Sequence, residues 1–517
     1  MKRFVSTLAE ESDFAFRKAA IQKLPIKIQD SLYYPSLTTL RYQLQNQNYT
    51  HLRVPAFRST YEYLTPSIKA PEQLTLLSGC ITSIRKAGKG SIFIDIVQDY
   101  TKVQLIVHHK LVNLAKDDFT NHHSNFRPGD YIVAVGLPGV TKVGELSLKL
   151  NRPLILTSPS LHPLPPKLTD QSKINSNKIV DYLVNKESRE TILIRSKIIS
   201  SIRNYFERNE FIEVETPIIS SGNTGATATP FLTSSTHFKN EDGSPRQLSL
   251  RVAPELWLKK YIISGFDKVF EIGKCFRNEG YDQTHNPEFT SCEFYKTHTT
   301  LSDLQDITED LLKYIVKELK YKKIALAMPM CEWLDAELGK GIGKIDFIPT
   351  LERETGMPLP ELTTNNLIEY FNKLNLEIPK GEINVVTLLD ELSGKFLEPL
   401  CHRPTFIYNI PEALSPLAKS TTIGKHQISL RFELYIKGLE YANAYEEENN
   451  PFHQRMKFQM QAGDEAIKDE KFVEFMEWGM APTGGWGLGI DRLVMLFTGR
   501  GIGGVLGFGG LPSVLKH

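Results

Sequence analysis

The sequence predicts an α+β chain in which a small β-barrel precedes a larger region where amphipathic helices alternate with long strands. Three observations point there. Short alternating apolar runs crowd residues 74–157. A long helical stripe follows, with Ile194, Ile198, Ile199, Ile202, Tyr205 and Phe206 on one face. Two alternating segments, 269–276 and 288–295, then bracket a polar loop and read as antiparallel strands.

Taken in order, residues 1–73 form a weakly patterned N-terminal extension. It carries Lys2 and Arg3, then Glu10, Glu11 and Asp13, then a stretch rich in Tyr and Gln. Runs at 76–84, 91–97, 103–107, 131–136 and 146–150 are separated by turns such as GKG, RPGD and LPG. Short strands at that spacing make a barrel over 74–157. Residues 158–190 are rich in Pro, Ser, Lys and Asn and read as a linker. Residues 191–517 alternate amphipathic helices with long strands, with a mixed helical insertion at about 335–395. There is no internal repeat.

Composition narrows the class without naming a function. The 517 residues are 41% hydrophobic and 23% charged, an ordinary globular balance with room for two or three domains. A net charge of +1 places no global demand for nucleic acid, so any RNA affinity must come from local basic surface. No apolar run approaches the roughly 18 residues that span a bilayer. Cys80, Cys275, Cys292, Cys331 and Cys401 are odd in number and contain no CxxC pair. Neither a zinc site nor a disulfide framework is indicated, which suggests a reducing compartment.

Two stretches carry chemistry. The loop after the strand at 269–276 holds Arg277, Glu279, His285 and Asn286, followed by Phe289. An arginine aimed from a rigid strand, an acid two residues on and an aromatic beyond the turn can hold a nucleotide by phosphate, adenine amine and base face. The second is GGWGLGIDRLVMLFTG, residues 484–499, a Gly-rich strand entering a helix with Arg492 in its first turn. Helix N-termini and arginine both favour phosphate. No Ser/His/Asp or Cys/His nucleophile arrangement is found.

The segment CFRNEGYDQTHNPEFTSCEFY, residues 275–295, closely resembles motif 2 of the class II aminoacyl-tRNA synthetases, in the form typical of lysyl-tRNA synthetases. FIEVETPIIS, residues 211–220, with Pro217 and the helix before it, resembles motif 1, and residues 484–499 resemble motif 3. The likeness covers about 74–517; it implies that the barrel is an OB-fold anticodon-binding domain and that 191–517 is a class II catalytic domain, an antiparallel sheet flanked by helices. It departs from the family near the end, where GFGGLPSV replaces the usual Phe-Pro, and at the N-terminus, which lacks a Lys-rich helix.

The resemblance implies a reaction and a set of residues. The reaction is ATP-dependent attachment of L-lysine to tRNA(Lys) through a lysyl-adenylate. Arg277 and Arg492 are the expected catalytic pair: Arg277 on the α-phosphate of ATP and the lysine carboxylate, Arg492 on the γ-phosphate. Glu279 would meet the adenine amine, His285 and Asn286 the triphosphate, and Phe289 the base. Glu433 and Glu440 match glutamates that hold Mg²⁺ with ATP, although the alternation in FELYI reads as strand and leaves them two surface acids by periodicity alone. Lysine binding is expected from Gly225, Glu255, Arg277, Glu293, Tyr295, Asn443, Tyr445 and Glu447, the last within the acidic run 446–448. A side-chain ammonium needs a carboxylate at the far end of its pocket, whereas aspartyl members need cations there and typically continue motif 2 as FRDE.

On the barrel, Arg85, Phe93 and Gln104 match positions that read the central anticodon uridine, and Glu145 a further base contact. In SIFIDI, Phe93 shares a face with Asp95, which argues against a core ring. Motif 1 implies a homodimer, and no membrane partner is expected. The stretch SLYYPSL resembles fungal mitochondrial forms, which implies the mitochondrial matrix; the acids that follow Lys2 and Arg3 leave the cytoplasm as the alternative. Two rivals are a lysine ligase that acts on a protein and lacks the barrel, and a non-catalytic RNA-binding relative. The barrel speaks against the first. Relatives of the second kind usually lose a motif arginine, and both are present.

Overall fold

The structure is a computed structural model and describes residues 2–44, 48–68, 70–88, 90–220, 228–462, 470–508 and 510; side chains are described from residue 12 onward, except at 43, 461 and 462. The chain divides into two compact units, Met1–Pro166 and Lys167–His517.

In the first unit the strands Leu74–Ala87, Ser91–Gln98, Thr101–His108, Leu146–Leu150 and Tyr131–Val140 pair in that order, and the last pairs back with the first. That closure joins five strands into a barrel consistent with an OB-fold, and Tyr49–His51 and Ile155–Ser158 add to the same sheet at its two ends. Its interior is filled by the inward residues of each strand, among them Leu77, Ile94, Val103, Leu105, Ile132 and Leu148. The strands run at the positions their alternation predicts, because burial of one face fixes the register.

Residues 1–73, weakly patterned in sequence, carry regular structure. They form helices Lys2–Gln22, Ile26–Leu32, Leu37–Leu44 and Val54–Tyr61, and a strand Tyr49–His51 that adds in parallel to Leu74–Ala87. Val54, Phe57 and Tyr61 enter the barrel's apolar cluster. Arg17 forks onto both oxygens of Asp130, at 2.8 and 2.9 Å, and ties the first helix to the RPGD turn. The three later helices have 7–8 residues, too short for a convincing 3.6-residue period.

The stretch 158–190, expected as a linker, holds the boundary between the two units and short helices. Helices Gln171–Ser176 and Lys178–Val184 lie there, and the long helix Lys186–Arg208 begins inside it. The polar composition is partly cap chemistry: Asp170 accepts from the Lys173 amide and Asn177 from the Val180 amide.

The second unit is built on an eight-stranded sheet. Its order is Gly343–Asp346, Thr405–Tyr408, Arg431–Ile436, Leu439–Glu446, Thr483–Gly489, Glu288–Thr297, Lys268–Phe276 and Ile212–Glu213. The two edge strands pair in parallel, and all pairings between them are antiparallel. One face carries Phe270, Phe294, Trp486, Leu488, Ala442, Ala444, Phe432 and Leu434 onto the helices Lys186–Arg208, Leu301–Lys322 and Ile490–Thr498. Strand periodicity sends the alternate residues to the opposite face. The 335–395 segment is largely helical, contributes the edge strand Gly343–Asp346 and packs its own apolar cluster around Leu351, Phe371 and Leu388. Among the described residues no helix is long and apolar enough to cross a membrane. Of the GFGGLPSV departure, only Gly507, Phe508 and Gly510 are described.

Candidate active site

Register assembles the site. One row across the sheet reads Glu433, Asn443, Gly487, Glu293 and Glu271. The next reads Arg431, Tyr445, Gly485 and Tyr295. These residues share the face opposite the helical core, where a cavity of about 390 Å³ opens. Its lining brings together Glu255, Arg277, Glu279, His285, Asn286, Phe289, Glu293, Tyr295, Glu440, Asn443, Tyr445 and Arg492. Gly225 lies outside the described residues.

One end is acidic. Glu255, in the first turn of helix Glu255–Ile263, accepts the Tyr445 hydroxyl at 2.6 Å. Burial and the neighbouring Glu255 charge push the Glu293 carboxyl up to about 8, against the pull of Arg277. Tyr295 donates to Glu293 at 3.4 Å. Glu447 is buried beside Gly485, whose missing side chain is a steric requirement: a Cβ there would stand 1.8 Å from Glu447 Oε1 and 2.7 Å from Tyr295 Cε1. The neighbouring acids turn elsewhere. Glu446 accepts from the Leu301 amide at 3.0 Å and caps a helix, while Glu448 takes the Asn450 amide and the Lys457 ammonium.

The other end is basic and mixed. The Arg277 guanidinium lies 5.1 Å from the centre of the Phe289 ring, and its buried Nε has no hydrogen-bond acceptor among the described residues. Arg492 donates to Glu440 Oε2 at 3.1 Å and to His285 Nε2 at 3.0 Å. His285 in turn donates from Nδ1 to Asp282 at 2.8 Å, which fixes its tautomer. Asn286 donates to the Glu288 carbonyl at 2.6 Å, and Glu279 is exposed at the rim. Glu433 and Glu440 stand on the two strands of one hairpin rather than on a helix. Burial pushes Glu433 above the usual carboxylate range, with Arg431 opposing and Glu440 adding to the shift. Arg431 pairs with Glu433, and the Tyr435 hydroxyl donates to it at 3.1 Å.

Sequence reasoning missed the framework that holds these ends. Asp491 pairs with Arg195 from the long helix and accepts the Thr290 amide at 2.7 Å, while Arg195 also reaches the Thr290 hydroxyl at 2.9 Å. The three motif segments therefore meet at one carboxylate. Arg251 and Glu271 form a second buried pair at 2.6 Å, bridged by the Thr216 hydroxyl. Lys259, buried between Glu255 and Glu447, was also missed. Only Lys259 left a local signal, its position four residues after an acid on a helix.

On the barrel, Arg85 sits directly across from Phe93, and Asp95 across from Gln104. Asp95 accepts from Ser83 at 2.9 Å and from Arg85 at 3.3 Å, and Ser147 donates to Gln104 at 3.2 Å. Phe93 is half-buried and outside the barrel's apolar cluster. Glu145 stands 3.8 Å from Arg58.

An antiparallel sheet whose polar face combines a motif-2 hairpin, a glycine-rich third motif and paired arginines defines a class II synthetase. The family described as tRNA synthetases class II (D, K and N) matches residues 170–509, and the chain belongs to it. Among its relatives, the mitochondrial lysine--tRNA ligase of Saccharomyces cerevisiae is 38% identical, over 94% of this chain and 90% of its own length. The mitochondrial lysine--tRNA ligase of Schizosaccharomyces pombe is 40% identical over 84% of each chain. The lysine--tRNA ligase of Campylobacter jejuni (strain RM1221) is 35% identical over 87% of this chain and 89% of its own.

Proposed function

We propose that this protein is a lysine--tRNA ligase: it activates lysine with ATP and transfers it to tRNA(Lys). One observation carries the reading. A single cavity has a carboxylate end, with Glu255 and Glu293 in its lining and Glu447 beneath Gly485, and an arginine end formed by Arg277 and Arg492. That polarity suits an amino acid with two ammonium groups beside a triphosphate. An aspartate or asparagine site of the same family would require a cation or neutral donor where Glu447 stands, since neither substrate has a side-chain ammonium.

The lysine carboxylate is ionised at neutral pH and needs no general base. It attacks the α-phosphorus; the new bond forms as the bond to the β-phosphate breaks, and pyrophosphate leaves. Arg277 orients the carboxylate and the α-phosphate, and Arg492 neutralises the γ-phosphate. His285 and Asn286 face the triphosphate, Phe289 carries the base, and Glu279 accepts from the adenine amine. Glu255 holds the α-ammonium with Glu293 beside it in the lysine set, Glu447 and Tyr295 hold the ε-ammonium, Asn443 supports the carboxylate, and Tyr445 walls the pocket. Gly225 belongs to the lysine set by resemblance alone.

Glu433 and Glu440 fit a divalent cation, since two crowded carboxylates with one shifted upward are relieved by positive charge. Bound there, Mg²⁺ would neutralise phosphate charge.

The barrel at 74–157 is read as the anticodon-binding domain, through Arg85, Phe93, Gln104 and Glu145, and 191–517 as the catalytic domain. Homodimerisation through motif 1 is supported by the exposed Ile212, Ile218, Ile219, Leu232 and Phe238. The chain is of the mitochondrial form, and the matrix is its proposed site of action. The test is transfer of labelled lysine to mitochondrial and cytosolic tRNA pools in the presence of ATP and Mg²⁺. Charging of tRNA(Lys) is expected, and absence of charging in both pools would overturn the reading.

A further inference from the structure

Glu255 and Glu447 are assigned above to the ammonium groups of lysine, yet both already share an ammonium of the protein itself. Lys259 Nζ lies 2.8 Å from Glu255 Oε1 and ion-pairs with Glu447 Oε2. Its side chain is 1% exposed, with the Tyr445 and Phe472 rings 5.7 and 6.0 Å from Nζ. Burial works against the Lys259 cation, but the two carboxylates hold its pKa above the ordinary lysine value. Glu447 Oε1 has no hydrogen-bond donor among the described residues and lies beneath Gly485 beside Tyr295, both at the cavity wall. One carboxylate oxygen serves the resident cation, and the other is left for a ligand.

We propose that Lys259 is a positioning residue: a resident counter-ion that fixes Glu447 and Glu255 and sets the charge count of the lysine site. The inference rests on the lysine-binding reading. Three carboxylates, Glu255, Glu293 and Glu447, face two protein cations, Lys259 and Arg277. An incoming lysine brings two ammonium groups and one carboxylate, and the count closes at neutrality. In the empty pocket one proton shared between Glu293 and Glu447, both of which burial pushes above the usual carboxylate range, closes the same count. An amino acid of the same shape with an uncharged side chain leaves one negative charge buried and uncompensated, which is costly. Specificity then depends on Lys259 as much as on Glu447: without it, the ε-ammonium meets a carboxylate array with excess negative charge, and Glu447 takes a proton instead.

The test compares Lys259→Met and Lys259→Ala with the parent in ATP–pyrophosphate exchange. Lys259→Met should raise the lysine KM by about 100-fold, on the scale of removing one partner of a buried ion pair. kcat at saturating lysine and the KM for ATP should stay within about threefold of the parent. Discrimination of lysine against norleucine should fall by at least about tenfold. In Lys259→Ala, ethylammonium should restore much of the lost lysine affinity, and ethanol should not. Unchanged lysine KM and norleucine discrimination in Lys259→Met, or equal rescue by ethanol, would overturn the proposal. So would failure of both variants to give a cooperative melt with ethylammonium present, which would assign Lys259 a purely structural role. A parent without lysine-dependent exchange would defeat the functional reading itself; an active parent with unaltered variants would defeat this inference alone.

Discussion

Gly485→Ala is the smallest change that reaches the amino-acid end of the cavity. The added Cβ would stand 1.8 Å from Glu447 Oε1 and 3.0 Å from Glu447 Cδ, where real Cβ atoms keep at least 3.0 Å from their neighbours. The oxygen must therefore retreat by about 1.2 Å, the difference between those two distances. The backbone cannot yield instead, because Gly485 is paired on both sides, with Tyr295 and with Tyr445. A misplacement of about 1 Å in a positioning group costs on the order of 100-fold in rate. We expect kcat/KM for lysine in pyrophosphate exchange to fall by about that factor, close to 2.7 kcal/mol. The KM for ATP should change little, because the clash is confined to the acidic end. Gly484→Ala is the matched control on the opposite face. Its Cβ meets Leu304 and Thr299 at 3.1 Å, so it should lower the melting temperature slightly and leave the lysine KM alone. Parental lysine kinetics in Gly485→Ala, or equal lysine defects in both variants, would refute the argument.

Arg277→Ala and Arg492→Ala should each reduce pyrophosphate exchange by at least about 100-fold, the scale of losing one preorganised charge contact; near-parental exchange in either would remove that residue from the ATP site. Glu293 has its carboxyl raised from 4.5 to about 8, so the folded protein holds a proton that the unfolded chain has lost in that window. Its contribution to stability is therefore greatest at low pH and declines as pH rises from 4.5 through 8. Lysine binding, which brings a cation to this carboxyl, should release protons near pH 7; calorimetry in buffers of different ionisation heat would read this, and no proton release would contradict it. Phe93→Ala should lower tRNA charging by about ten- to a hundredfold, the worth of one stacked base, and leave lysine activation intact; equal loss in both reactions would make Phe93 a structural ring.

Strand alternation made most of this architecture legible. In FTSCEFY the polar face at Ser291, Glu293 and Tyr295 and the core face at Cys292 and Phe294 follow from period two alone. The same logic gives the barrel, where Ile92, Ile94 and Ile96 point inward and Phe93 does not. Three of the four helices before residue 74 escaped because they have only 7–8 residues, too few for a clear helical period. The Asp491–Arg195–Thr290 junction escaped for a different reason. Its members are far apart in sequence, and each reads locally as an ordinary helix or strand residue. Motif resemblance named the cavity's lining residues by position, but it gave no hint that Glu447 and Glu255 share a resident lysine.

The most direct measurement is amino-acid-dependent ATP–pyrophosphate exchange with lysine, aspartate and asparagine supplied separately to the purified protein. The acidic floor under Gly485 and the arginines at the opposite end predict exchange with lysine and none above background with the other two. Exchange driven by aspartate or asparagine, or none with lysine, would contradict the account.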